Sequence, residues 1–164
     1  MKKPIMPPRA TRPHMPGYGI SKDRKGMFPW KWAEERLVKA RTYWITTVRP
    51  DGRPHCMPVW GYWMDGRVWF SSGRETRKVR NITANPNVAV AVETGKDDVI
   101  LEGVAAEVTD MPQLKKFCAA YSRKYKWKTD PKEGPFFAVT PRVVFGLTSR
   151  PGKFVKTATR WTFY

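Results

Sequence analysis

The sequence predicts a mainly β protein, a closed antiparallel barrel with two or three helices outside it. Three observations carry that expectation. Runs rich in β-branched and aromatic residues outnumber helical ones. Tight turns join them, Pro50-Asp51-Gly52 and Asp65-Gly66, and these make hairpins rather than crossovers through helices. A chain of 164 residues with 13% aromatic content suits one domain with a real core.

Taken in order, residues 1–29 read as an irregular basic arm. Pro4, Pro7, Pro8, Pro13, Pro16 and Pro29 interrupt regular structure there, while "MPGYGI" (Met15–Ile20) supplies apolar anchors. Residues 30–164 form the folded domain. "WAEERLVKAR" (Trp32–Arg41) has apolar residues at helical spacing, two Glu near its start and cations near its end. "TYWITTV" (Thr42–Val48), "HCMPVWGYWM" (His55–Met64) and "RVWFSS" (Arg67–Ser72) are strands of a meander, with Pro58 and Gly61 marking a bulge or an edge. A helix follows over Arg74–Asn81, with Ser72 as its N-cap and Asn85-Pro86 as its stop. "NVAVAVE" (Asn87–Glu93) is a buried strand, and "VILEGVAAEVTD" (Val99–Asp110) is a long one kinked at Gly103. A helix over Met111–Trp127 buries Leu114, Phe117, Cys118 and Tyr121. "FFAVTPRVVFGLTS" (Phe136–Ser149) supplies one or two strands, and "TATRWTF" (Thr157–Phe163) the last.

The formal charge is 31 − 14 = +17, which calls for an acidic partner. No apolar run is long enough for a transmembrane helix, and no secretory leader precedes the arm, so a cytoplasmic setting is expected. Cys56 and Cys118 lack metal-ligand spacing. Nucleic acid would need cations and stacking aromatics spread over one face. "YSRKYKWK" (Tyr121–Lys128) is a stretch of that kind, but no helix-turn-helix, zinc-finger or RNP motif accompanies it. No catalytic fingerprint of a hydrolase, kinase or zinc protease is present. His55 and Cys56 are neighbours on a strand and point to opposite faces, which disfavours a dyad.

The sharpest feature is "FSSGRETRKVRN" (Phe70–Asn81). Ser71, Ser72 and Gly73 lead into a helix start that carries Arg74, Arg77 and Lys78. Free helix amides, hydroxyls and cations together make a phosphate site. A solvated basic face is the bland reading of the same residues.

The elements as a set resemble the pyridoxamine 5′-phosphate oxidase-like superfamily of flavin and deazaflavin proteins. The resemblance runs over roughly residues 30–163, through "WITTVRPDGRPHCMPVWGYWMDGRVWFSS", the Arg-Lys-x-x-Asn-Ile-x-x-x-Pro helix at 77–86, "DDVILEGVAAEVTD" and "TRWTF". It implies a split antiparallel β-barrel and a homodimer with cofactor between two barrels. It places the cofactor phosphate on Arg77 and Lys78, assisted by Ser71, Ser72 and Arg74. Met57, Pro58, Val59 and Trp60 would run beneath the ring, and Arg160 and Trp161 would approach it from the last strand, from either subunit. The chain stops at Tyr164, without the C-terminal substrate segment of true pyridoxamine-phosphate oxidases, so a reductase is expected instead. The resemblance thus implies an oxidoreductase transferring hydride between an FMN or coenzyme F-420 ring and an organic substrate. The +17 charge suits the polyanionic tail of the deazaflavin coenzyme F-420, with FMN as the alternative. His55, Tyr62 and Tyr18 are candidate proton donors, and Trp60 or Trp63 candidate walls of an acceptor pocket. A cofactor- or nucleic-acid-binding protein without turnover is the competing reading.

Overall fold

The structure, a computed structural model, describes residues 8–164; Lys2, Lys3, Pro4 and Pro7 of the expected arm lie outside the described residues. Among the described residues nine strands and four helices follow one another. They are β1 (Arg9–Thr11), α1 (Trp30–Lys39), β2 (Tyr43–Val48), β3 (Pro54–Val59), β4 (Gly61–Met64), β5 (Arg67–Ser71), α2 (Arg77–Ala84), β6 (Asn87–Glu93), β7 (Asp97–Glu107), α3 (Met111–Tyr125), β8 (Phe136–Thr148), α4 (Phe154–Thr157) and β9 (Thr159–Thr162). Every pairing is antiparallel.

The ladder runs β1-β9-β8-β7-β6-β2-β3, with β4 on β5 and β5 on β8. One edge of β8 therefore serves two partners: β5 at Phe136–Val139 and β9 at Val143–Gly146. The other edge carries β7 along its length. The hydrogen-bonded sheet does not close. Its two ends, β3 and β4, are joined by the chain itself through Trp60, so the barrel is split where the sequence places Pro58 and Gly61. The expected closed barrel is corrected to a split one on this point: a kinked strand cannot offer both halves to the same neighbour. Among the described residues β3 pairs with β2 alone and leaves its second edge open.

Local chemistry explains most boundaries. Asp65 and Gly66 both take positive φ, 52° and 69°, the geometry of a tight hairpin turn between β4 and β5. Gly103 sits at a register shift in the β7–β8 ladder, which is the expected kink. A Cβ there would run into the backbone carbonyl of Thr140. We expect Gly103→Ala to destabilise the fold by about 2 kcal/mol in urea titration, since strand backbone must move to admit one methyl.

The core has two parts. Tyr43, Ile45, Val68, Phe70, Leu101, Val139 and Trp161 belong to the cluster that fills the barrel. Trp69, Phe117, Phe136 and Leu114 form a second cluster beneath α3, with the Trp69 and Phe117 rings 5.7 Å apart. Tyr121 is half-buried and Tyr125 takes the inward position at the end of α3. α1 starts at Trp30, two residues ahead of the expected start, so Glu34 lies in its second turn and accepts from Trp63 Nε1 at 3.2 Å.

The arm is not irregular throughout. Arg9–Thr11 pairs with β9, and Arg12 donates to the carbonyls of Asp23, Lys25 and Ala158. Phe28 stacks on Trp32 at 3.8 Å. The proline-rich stretch is thus pinned to the barrel by side chains and one short edge strand. α4 is a single turn that the residues did not announce. Among the described residues no helix is long and apolar enough to cross a membrane.

Candidate functional site

The cation cluster forms where α2 meets the β2–β3 hairpin. α2 starts at Arg77, and its N-cap is Thr76, whose Oγ1 accepts from the Val79 amide. The expected Ser72 cap is corrected: Gly73–Thr76 makes a turn before the helix, and the later hydroxyl reaches the free amide. Ser72 has another task. Its Oγ accepts from Lys78 Nζ at 3.1 Å and shares a hydrogen bond with Thr76 Oγ1 at 3.0 Å. Ser71 donates to the Pro135 carbonyl at 3.0 Å.

The early shift of the turn removes Arg74 from the helix. It pairs with Glu107 through both terminal nitrogens, at 3.1 and 2.8 Å. Arg80 pairs with Glu75. Arg77 and Lys78 have no carboxylate partner among the described residues. Burial lowers the Lys78 amino group from its ordinary value.

Two residues outside the expected set complete the cluster. His55 on β3 lies across from Thr47 on β2. Burial, then the charges of Arg49, Lys78 and Arg77, hold its imidazole below the ordinary value. Lys78, Arg77, Arg49 and His55 therefore share one neighbourhood. The Nε of Arg49 and the Nδ1 of His55 are buried and without a hydrogen-bond partner among the described residues. Buried polar atoms are seldom left so, and two beside uncompensated cations fit an anion rich in acceptor oxygens. Asn81, buried in α2, donates to Thr47 Oγ1 at 2.9 Å and fixes the helix to the hairpin. In the sequence Arg49 reads only as part of a turn; its one signal is the cation directly before Pro-Asp-Gly.

From His55 the open edge of β3 leads through Met57 and Pro58 to Trp60. Met57 is 44% and Trp60 47% exposed, whereas Val59 is buried. Pro58 lacks an amide donor, as an edge strand tolerates. Trp60 stacks on Tyr125, ring centres 4.9 Å apart and planes 4° from parallel. Trp63 is buried, so only Trp60 of the two is presented outward. Tyr18 is exposed beside Phe154, in the arm. Trp161 is in the barrel core, edge-on to Trp30 at 5.5 Å. Arg160, on the opposite face of β9, lies in register with Thr11 and Phe145. No hydrogen bond or ion pair among the described residues joins Arg160 or Trp161 to the Arg77–Lys78 cluster.

The chain is thus a split antiparallel barrel with a cluster of cations at one end of an edge strand. Residues 30–148 match the family described as Pyridoxamine 5'-phosphate oxidase, and the chain belongs to that family. Among solved structures it is similar to an F420 reductase, 25% identical over 68% of this chain and 94% of that one, with a TM-score of 0.56. It is similar in fold to General Stress Protein 26 from Bacillus anthracis, at 24% identity, 71% and 91% coverage and a TM-score of 0.59. It also shares the fold of a pyridoxamine 5'-phosphate oxidase-related, FMN binding protein from Nostoc punctiforme, at 17% identity, 77% and 87% coverage and a TM-score of 0.57. No curated protein matches the chain.

Proposed function

We propose that the protein is an oxidoreductase that transfers hydride between a phosphorylated flavin-type ring and an organic substrate. Coenzyme F-420 is the favoured cofactor and FMN the alternative. The observation that carries the reading is the pair of orphaned buried atoms, Arg49 Nε and His55 Nδ1, beside Arg77 and Lys78. A cofactor phosphate would satisfy both atoms and offset the charge of both cations. Ser72 holds the Lys78 ammonium in place for it. When bound, the ring supplies the atom that takes up or gives hydride. The open edge of β3 would support that ring through Met57, Pro58 and Val59, with Trp60 at its far end. His55, neutral at pH 7 by its lowered pKa, can donate through Nδ1 to a phosphate oxygen. That use removes it from the candidate proton donors. The preference for F-420 rests on the +17 charge, suited to a polyanionic tail, and on the likeness to an F420 reductase.

Titrating each cofactor against tryptophan fluorescence tests the choice, and turnover with a trial acceptor separates an enzyme from a carrier. Tight binding of F-420 with weak binding of FMN is expected. Binding of neither sinks the reading.

The homodimer is part of the same proposal. Trp44 is 44% exposed on the outer face of the sheet, which continues through Val48, Ala89 and Val143 into a groove of about 410 Å³. A second copy would cover it, and Arg160 of one subunit could then serve the other's site. Trp44→Glu is expected to convert the dimer to a monomer in sedimentation velocity. A variant that sediments as the wild type would place the contact elsewhere.

A further inference from the structure

A cationic hollow lies beyond the end of β3. It has a volume of about 430 Å³ between the end of α1, β4 and α3, and Tyr62 forms part of its wall. Lys39, Arg41, Arg123 and Lys124 line it, and no carboxylate does. None of the four forms an ion pair among the described residues.

Lys124 is the least ordinary of them. Its ammonium donates to Gly61 O at 3.2 Å, Tyr43 Oη at 3.3 Å and Val38 O at 3.4 Å, all neutral acceptors. The rings of Tyr43, Tyr125 and Tyr62 surround it at 5.0, 5.3 and 5.4 Å. Its positive charge is held in a half-buried place with nothing to balance it. Burial first, and Arg41 second, push its pKa down to about 8. A lysine serving only to pin α3 would gain from a carboxylate, and the wall offers none. Arg41 lies over the same Tyr125 ring, at 5.2 Å, on which Trp60 stacks. Arg41 of the hollow and Trp60 beyond β3 thus both lie against the Tyr125 ring.

The geometry points to an anion subsite here, one that receives the carboxylate or phosphate group of the acceptor substrate while its flat part lies toward Trp60. The site itself stands without a cofactor; its assignment to the acceptor rests on the proposed oxidoreductase function. The proposed cofactor-phosphate cluster at Arg77 and Lys78 is separate, at the other end of β3, so the two can be tested independently.

The direct test follows the Lys124 side-chain NMR signal, assigned with Lys124→Gln, through a pH titration of the full chain with and without inorganic phosphate. Phosphate is expected to raise the Lys124 pKa by about 1. Arg41→Gln/Arg123→Gln, which alters two exposed residues, should abolish that phosphate-dependent rise, and Arg77→Glu/Lys78→Glu should preserve it. A rise unchanged in the first variant, or lost in the second, overturns the subsite. The acceptor assignment is tested in the cofactor-loaded enzyme with a carboxylated quinone and its uncharged methyl ester. Arg41→Gln/Arg123→Gln should raise KM roughly 10-fold for the acid alone. Equal KM changes for acid and ester would overturn the assignment and leave the anion titration to stand by itself. A chain that binds no flavin-type cofactor would fail the proposed function while the NMR result still reads the pocket.

Discussion

Arg77→Glu/Lys78→Glu is expected to weaken binding of the phosphorylated cofactor by roughly 10³-fold. Two charge-assisted contacts to phosphate are lost, each contributing about 1.5–3 kcal/mol, and two like charges take their place. The fold should not suffer. Arg77 is exposed, and the side chain of Lys78 holds no protein partner except Ser72. Thermal melting near the wild-type Tm, with fluorescence quenching by cofactor lost, is the expected result. Arg74 provides the internal control. It carries the same charge three residues away, yet Glu107 already engages both its terminal nitrogens. Arg74→Gln should change affinity by about 3-fold at most, because a surface pair of this kind contributes little. If the double variant binds cofactor like the wild type, the phosphate lies elsewhere. If Arg74→Gln matters as much as the double variant, the cluster is acting only as diffuse charge.

Much of this cation cluster was legible because its signals are local. Arg77 and Lys78 are adjacent, follow two hydroxyls and precede Asn81 and Pro86, so helix and stop can be read within the one stretch Ser71–Pro86. Gly103 betrays its bulge because it is the one glycine inside a long strand rich in β-branched residues and alanine. What escaped depends on distant partners. Glu107 lies 33 residues from Arg74, and only the folded chain shows that it takes that cation out of the cluster. Ser72 and Thr76 are both competent caps; the turn at Gly73 decides between them, and turn geometry is weakly written in sequence. Arg49 looks like a hairpin residue until the hairpin folds against α2. Residues 9–11 become a strand only because β9, some 150 residues later, offers an edge. In the proposed dimer, the placement of Arg160 relative to the cluster would turn on a second subunit and not on the chain alone.

The other large effect concerns Asp97, the first residue of β7. Its carboxylate accepts from Arg36 at 2.6 and 3.1 Å, from Thr148 at 2.7 Å and from Arg150 at 3.2 Å. The Asp97 side chain is only 5% exposed and that of Arg36 19%. Arg36 in turn lies 3.7 Å over Trp32, which stacks on Phe28 of the arm. One carboxylate thereby ties together the arm, α1, β7 and the end of β8. Asp97→Asn keeps the shape but leaves Arg36 half-compensated in a partly buried place. Removing one partner of such a pair costs about 3 kcal/mol, and a domain of this length should lose about 10 °C in Tm. A loss under about 1 kcal/mol would show that water already balances Arg36. The pH dependence supplies a second readout. Burial alone would raise the Asp97 pKa, but the bonds from Arg36, Thr148 and Arg150 outweigh it and hold the carboxyl below 3.8. A carboxyl whose pKa falls on folding contributes stability above its unfolded value, and that contribution fades as pH drops through the folded value. The gap between wild type and Asp97→Asn should therefore stay constant from pH 7 to about 5 and narrow below about 4. Chemical denaturation across that range measures it. A gap that widened toward acid would mean that the carboxyl, not the carboxylate, is the form the fold prefers, and that the two arginines are held by something other than its charge.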